Sequence, residues 1–134
     1  MIHIYSFGYK HGNPFTDGLS WKIGDGCDDV FTNVYDCRSL RNPHHERDLK
    51  DLNGKDHAAV RSYVFGTHAA YDMLDLGWQR AIESTSDHDL QIVAFGCTGG
   101  QHRSVTLAET LAALCTAAYI PHKLDHLHLR KANS

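Results

Sequence analysis

Phe95-Gly96-Cys97-Thr98-Gly99-Gly100-Gln101-His102-Arg103-Ser104-Val105 is the stretch on which the reading of this chain turns. Leu90–Phe95 leads into it as a compact apolar run of the kind buried in parallel sheets. Behind it, Ser104–Ala118 places Val105, Ala108, Leu111, Ala112 and Cys115 at helical spacing. A strand passing through a tight Gly96–Gly100 loop into a helix is the unit of α/β architecture. The adjacent Gly99 and Gly100 let backbone N–H groups converge with no Cβ in the way. The helix start aims its dipole and unpaired donors at the same point. Arg103 adds a planar fork suited to phosphate, and Thr98 and Ser104 add hydroxyls. The stretch reads as an oxyanion cradle. The plainer alternative is a Gly-rich turn with Arg103 salt-bridged at the surface.

The same residues contain Cys97, five residues, then Arg103 and Ser104, the spacing of cysteine-dependent phosphatases. A thiol at a helix N-terminus is a candidate nucleophile. Two features oppose that role. Gly96 stands where those phosphatases place a histidine, and no Trp-Pro-Asp-like segment offers an acid for the leaving group. Asp36 or the acidic 16–30 region would have to supply the proton. A non-catalytic binding module is therefore the first expectation. A phosphatase using Cys97, Arg103 and Asp36 is the alternative.

Outward from the loop, Ile2–Ser6 reads as a short strand and Gly8–Gly26 as a Gly-punctuated loop. Phe31–Cys37 reads as a second strand, and Arg38–Lys55 as mostly loop, with Asn42-Pro43 and Asn53-Gly54 as turn signals. Asp56 is placed to cap a helix through Tyr63, and a further helix runs from His68 to Glu83 with Gly77 as a weak point. Ile120–Leu129 supplies a last strand with alternating His and Leu. Trp78 is expected to pack on its helix and Trp21 to anchor the segment around it. Tyr9 is a packing or surface residue before it is a stacking platform.

The chain has 134 residues, the size of one ordinary domain of about 100–150 residues. Its formal charge of −3 lacks the strongly basic balance of a general nucleic-acid coat. Charge is uneven along it: residues 16–36 carry Asp17, Asp25, Asp28, Asp29 and Asp36 against Lys22, whereas 38–61 carries six bases against four acids. The start shows no signal-peptide pattern, and no apolar run has membrane-spanning length. Four cysteines without a CxxC pair point to reduced thiols in a cytoplasmic setting. Among the 11 histidines, His126 and His128 would share one strand face, but neither HExxH nor Cys-pair spacing accompanies them, so no metal or other cofactor is expected.

Gly96–Val105 resembles the signature of the RapZ C-terminal domain family, the RNase adaptor RapZ and its YvcJ-type relatives. Support is spread along the chain: Ser6-Phe-Gly-Tyr-Lys-His-Gly12 with Pro14, then Tyr35-Asp-Cys-Arg38 with Asn42-Pro43-His44, then Leu52-Asn-Gly-Lys-Asp56 with Val60 and Tyr63. The resemblance implies one α/β domain over 1–134, akin to a phosphofructokinase subdomain. It implies binding of a phosphorylated or nucleotide-linked amino sugar, with small RNA, a nucleotide-binding protein and further copies of the chain as partners. Carried over by motif position, the ligand site takes His44, Thr98, Gly99, Gly100, His102, Arg103 and Ser104. Asp36 and Arg38 lie beside it, and Lys10 and His11 line its rim.

The chain departs from the family pattern in three places. No GxxxxGK[ST] is present, so nucleotide hydrolysis is not implied. Between Pro14 and Tyr35 there are about a dozen extra residues for a domain loop, mostly acidic and centred on 16–30, expected to form a hairpin or lid. The basic tail is reduced to Arg130-Lys131, which weakens the case for RNA because affinity scales with phosphates neutralised.

Overall fold

The computed structural model describes residues 1–84 and 88–130. Four strands, β1 (Ile2–Gly8), β2 (Val30–Asp36), β3 (Leu90–Cys97) and β4 (His122–His126), form one sheet in the order β2-β3-β1-β4. Every pairing is parallel: Ser6 lies opposite both Phe95 and His126, and Tyr35 also lies opposite Phe95. The helices are α1 (Leu19–Ile23), α2 (Ala58–Val64), α3 (His68–Glu83) and α4 (Arg103–Ala117). The α/β reading holds.

An all-parallel sheet needs both faces covered, and successive side chains of the central strands serve the two faces in turn. Ile2 and Ile4 of β1 and Val93 and Phe95 of β3 join Val64, Ala70, Leu107, Ala108 and Leu111 of α2, α3 and α4. Tyr5, Phe7, Ile92 and Ala94 face the other way and pack with Phe15, Leu19, Ile23 and Cys27. The acidic segment therefore covers the second face of the sheet. In place of a hairpin it contains the short α1 and turns within the Gly-punctuated stretch to Gly26. Trp21 does not anchor it, being 83% exposed, whereas Trp78 packs against the helix-side core as expected.

Three further expectations change for identifiable reasons. Helix α2 starts after His57 rather than Asp56, because Asn53 Oδ1 takes the N–H groups of Lys55 and Asp56 at 2.9 and 2.7 Å and holds Asp56 in a turn. Gly77 is a contact point and not a weak point: a Cβ there would lie 2.9 Å from Phe95 Cζ and 3.0 Å from Leu111 Cδ2, so its absence lets α3 close on the core. Strand β4 stops at His126, and the chain beyond it turns toward the β1 terminus, where His128 Nδ1 accepts the Gly8 N–H at 2.8 Å.

Candidate ligand-binding site

The C-terminal ends of β1 and β3 meet at the loop Thr98–His102, which opens α4. Parallel α/β sheets bind ligands at that edge. Gly8 lies hard against the loop, since a Cβ on it would fall 2.5 Å from the Gly99 carbonyl carbon. The main chain is tied there by Lys10 N–H donating to the Thr98 carbonyl at 3.1 Å. Gly100 adopts φ +77°, a left-handed conformation that favours glycine, and turns its N–H toward Cys97 Sγ at 3.3 Å. Ser104 Oγ lies 3.1 Å from the same sulfur. Gly100 and Ser104 thus build the loop from beneath.

Arg103 is buried, at 5% exposure, and makes no ion pair among the described residues. Its Nη1 donates to the main-chain carbonyls of Arg38 at 2.7 Å and Leu40 at 3.4 Å, and its Nη2 reaches Thr98 Oγ1 at 3.4 Å. Its Nε has no partner. One end of the guanidinium is therefore anchored, and the Nε edge is left unsatisfied. The neighbouring His102 is 7% exposed and its Nε2 also lacks a partner. Burial pushes this imidazole below its ordinary value, against the pull of the Leu52 and Lys50 carbonyls, and the nearby His44 and Arg103 lower it further.

Both residues line a cleft of about 360 Å³ with Lys10, Asn42, His44, Lys50, Asp51, Cys97, Thr98, Gly99, Gln101 and Arg130. Of the residues expected at the site, Lys10, His44, Thr98, Gly99, His102 and Arg103 come together in that lining. Asp36, Arg38 and His11 do not. Asp36 and Arg38 hold one another, with Arg38 Nη2 donating to Asp36 Oδ2 at 2.7 Å and Nε to Oδ1 at 3.0 Å. These bonds keep the Asp36 carboxyl below the ordinary carboxylate range. Arg38 also lies over the Tyr9 ring, 3.9 Å from its centroid, and His11 stacks on His128. Asn42, Lys50, Asp51, Gln101 and Arg130 were not in the expected set. Asn42 and Gln101 sit inside the motifs that were quoted, but Lys50, Asp51 and Arg130 carry no local signal beyond charge.

The sequence of the domain matches the model described as the RapZ C-terminal domain over residues 1–130. The chain belongs to this family. A "Nucleotide-binding protein" of Bifidobacterium animalis subsp. lactis is 39% identical over 118 residues, covering 84% of this chain and 33% of the relative. One from Thermobifida fusca is 38% identical over 121 residues, 83% of this chain and 34% of the relative. One from Alcanivorax borkumensis is 35% identical over 134 residues, 96% of this chain and 42% of the relative. The chain spans about a third to two-fifths of the length of these curated relatives.

In this RapZ-type domain the cleft lining carries Lys10, Lys50, Arg103 and Arg130 against the single carboxylate of Asp51, although the whole chain is formally −3. Such a concentration of one sign in a concave site favours an anionic ligand. His126 and His128 do not converge. His126 is held between Ser6 Oγ at 2.6 Å and Glu109 Oε1 at 2.8 Å, and His128 is turned to Gly8. Among the described residues no group of three or more His, Cys, Asp or Glu could hold a metal, and no helix is long and apolar enough to cross a membrane.

Proposed function

We propose that this domain is a non-catalytic, regulatory ligand-binding module whose cleft takes a phosphorylated amino sugar. The observation that carries the reading is the guanidinium of Arg103, buried in the lining of a cationic cleft, anchored through Nη1 and reaching Thr98 through Nη2. A hydrogen bond from such a charged group to a phosphate oxygen contributes about 1.5–3 kcal/mol. The α4 N-terminus, Thr98 and Lys10 supply further donors. A volume of about 360 Å³ suits a hexose phosphate, near the lower end of small-molecule pockets. Asp51 supplies an anionic partner for the ammonium group of an amino sugar. A nucleotide-linked amino sugar is the other member of the ligand class, and its larger body would have to extend from the cleft.

The test is calorimetric titration of three compounds: a 2-amino-2-deoxyhexose 6-phosphate, the hexose 6-phosphate without the amine, and a nucleoside-diphosphate N-acetylamino sugar. The first is expected to bind best, and Asp51→Asn is expected to narrow its advantage over the second. Equal or absent binding of all three contradicts the reading. Self-assembly, a separate nucleotide-binding protein and small RNA belong to the same proposal as partners, in the reducing cytoplasmic setting that the free cysteines suit.

The phosphatase alternative draws support from one observation, the Cys97 sulfur held by Gly100 N–H and Ser104 Oγ beside Arg103. It is the weaker reading. Cys97 is 2% exposed, and Asp36, the acid considered for it, is kept ionised by Arg38 and lies outside the cleft lining. An ionised carboxylate has no proton to give a leaving group.

A further inference from the structure

Gln101 lines the cleft, yet its amide is committed elsewhere. Nε2 donates to the His128 carbonyl at 2.7 Å and to the Gly99 carbonyl at 3.2 Å, and Oε1 accepts the Arg130 N–H at 3.0 Å. Both amide hydrogens are therefore in use. The side chain joins the β3–α4 loop to the segment that leaves β4, and that segment carries Arg130 into the cleft wall. Among the described residues the Arg130 side chain makes no ion pair or hydrogen bond, and its main-chain N–H is the group that Gln101 grips.

We infer that Gln101 is a positioning residue that seats Arg130 in the cleft, making the segment after β4 a working wall of the ligand site. The inference rests on the phosphosugar reading above and adds a regulatory consequence to it. Ligand that engages Arg130 stabilises the seated segment, and whatever draws the segment away weakens ligand binding by the same factor. Gln101 acts here through Arg130 and not by touching ligand. A residue that served only the packing of the loop would weaken binding whether or not Arg130 were present.

A double-mutant cycle separates these roles. A 2-amino-2-deoxyhexose 6-phosphate is titrated by calorimetry into the wild-type chain, Gln101→Met, Arg130→Ala and the double variant. Methionine keeps the buried volume and removes all three hydrogen bonds. Each single variant is expected to bind about five-fold more weakly, the size of one charge-assisted contact at a partly open site. In the Arg130→Ala background, Gln101→Met is expected to change affinity by less than about two-fold. An equal loss in both backgrounds overturns the inference. Arg130 is exposed, so its alanine variant does not threaten the fold, and wild-type affinity in that variant overturns the inference by itself. Wild-type binding with no effect of either substitution rejects the positioning role of Gln101 and leaves the cleft reading standing. No binding by the wild-type chain overturns both.

Discussion

Arg103 is held in place by Arg38: its Nη1 donates to the Arg38 main-chain carbonyl at 2.7 Å, across the ends of two neighbouring strands. The contact explains why a guanidinium is needed at position 103, since Nη1 must satisfy carbonyls while Nη2 reaches Thr98 in the cleft lining. Arg103→Lys keeps the charge but lacks the fork. It is expected to lower stability by about 1–3 kcal/mol through the carbonyls left unpaired, and to lose most phosphosugar affinity as well. Urea unfolding and calorimetry on the same protein check both halves. Wild-type stability in the lysine variant would contradict the anchoring role.

Cys97 is expected to show no phosphatase chemistry. The assay is turnover of an aryl phosphate, whose good leaving group needs little acid help and so favours the rival view. Activity above buffer that disappears in Cys97→Ser would move the domain into the enzyme class.

Acid is expected to destabilise the domain well before its carboxylates titrate. Burial lowers His3, His102 and His128 below 6.5, even though Asp125 partly offsets the drop at His3. Just beneath 6.5 the unfolded chain therefore binds more protons than the folded one, and stability falls as pH falls through that window. Asp36 has the opposite shift: its contribution is present above 3.8 and is lost only at lower pH. At His128 the mechanism is direct, because Nδ1 accepts the Gly8 N–H and cannot do so once protonated. His128→Asn retains an acceptor that does not titrate. Its melting temperature is expected to change less than that of the wild type between about pH 7.5 and about pH 5.5. An equal change in the two proteins would show that the Gly8 contact does not report the protonation.

RNA binding is expected to be weak, salt-sensitive and dependent on assembly. Half of the bases in 38–61 are engaged within the domain: Arg38 pairs with Asp36, Arg41 covers the Tyr63 ring, and Arg61 donates to the Gly54 and Lys55 carbonyls. Lys50 lines the cleft. Few cations remain for phosphates, so affinity starts low and falls with salt, while an oligomer would gain by avidity. Histidine protonation adds positive charge, so binding is expected to strengthen toward about pH 6. Anisotropy titrations of a structured RNA at two salt concentrations, beside a sizing measurement, decide this. Tight binding by a monomer near physiological salt would reverse the ranking of ligands.

Gly77→Ala is expected to destabilise, although alanine favours helix by about 1 kcal/mol over glycine. The new methyl meets Phe95 and Leu111, and overpacking of such a core costs about 1–3 kcal/mol. A denaturation midpoint at or above the wild type would show that α3 can shift outward at little cost.

The fold was legible where one local signal ruled. The apolar run into Gly96–Gly100 and the helical spacing after Ser104 placed β3 and α4 within two residues of where they lie. The acidic segment was not legible, because its cover over Tyr5, Phe7 and Ile92 is a tertiary match and its charges hide four apolar residues that do the packing. At the candidate site, Thr98, Gly99, His102 and Arg103 of the contiguous motif line the cleft. Lys50, Asp51 and Arg130 reach the cleft by chain folding alone, with no spacing to announce them. The pairing of Asp36 with Arg38 was equally hidden, and it leaves both outside the lining of the cleft beside which the family resemblance set them.

The most direct measurement of the central claim is a crystal structure of the chain with a 2-amino-2-deoxyhexose 6-phosphate. The account predicts the phosphate over Thr98–Arg103, with an oxygen about 2.7–2.9 Å from a nitrogen of the Arg103 guanidinium and Nη1 still on the Arg38 carbonyl. A phosphate bound away from this loop, or an unoccupied cleft at a ligand concentration that saturates binding in solution, would contradict it.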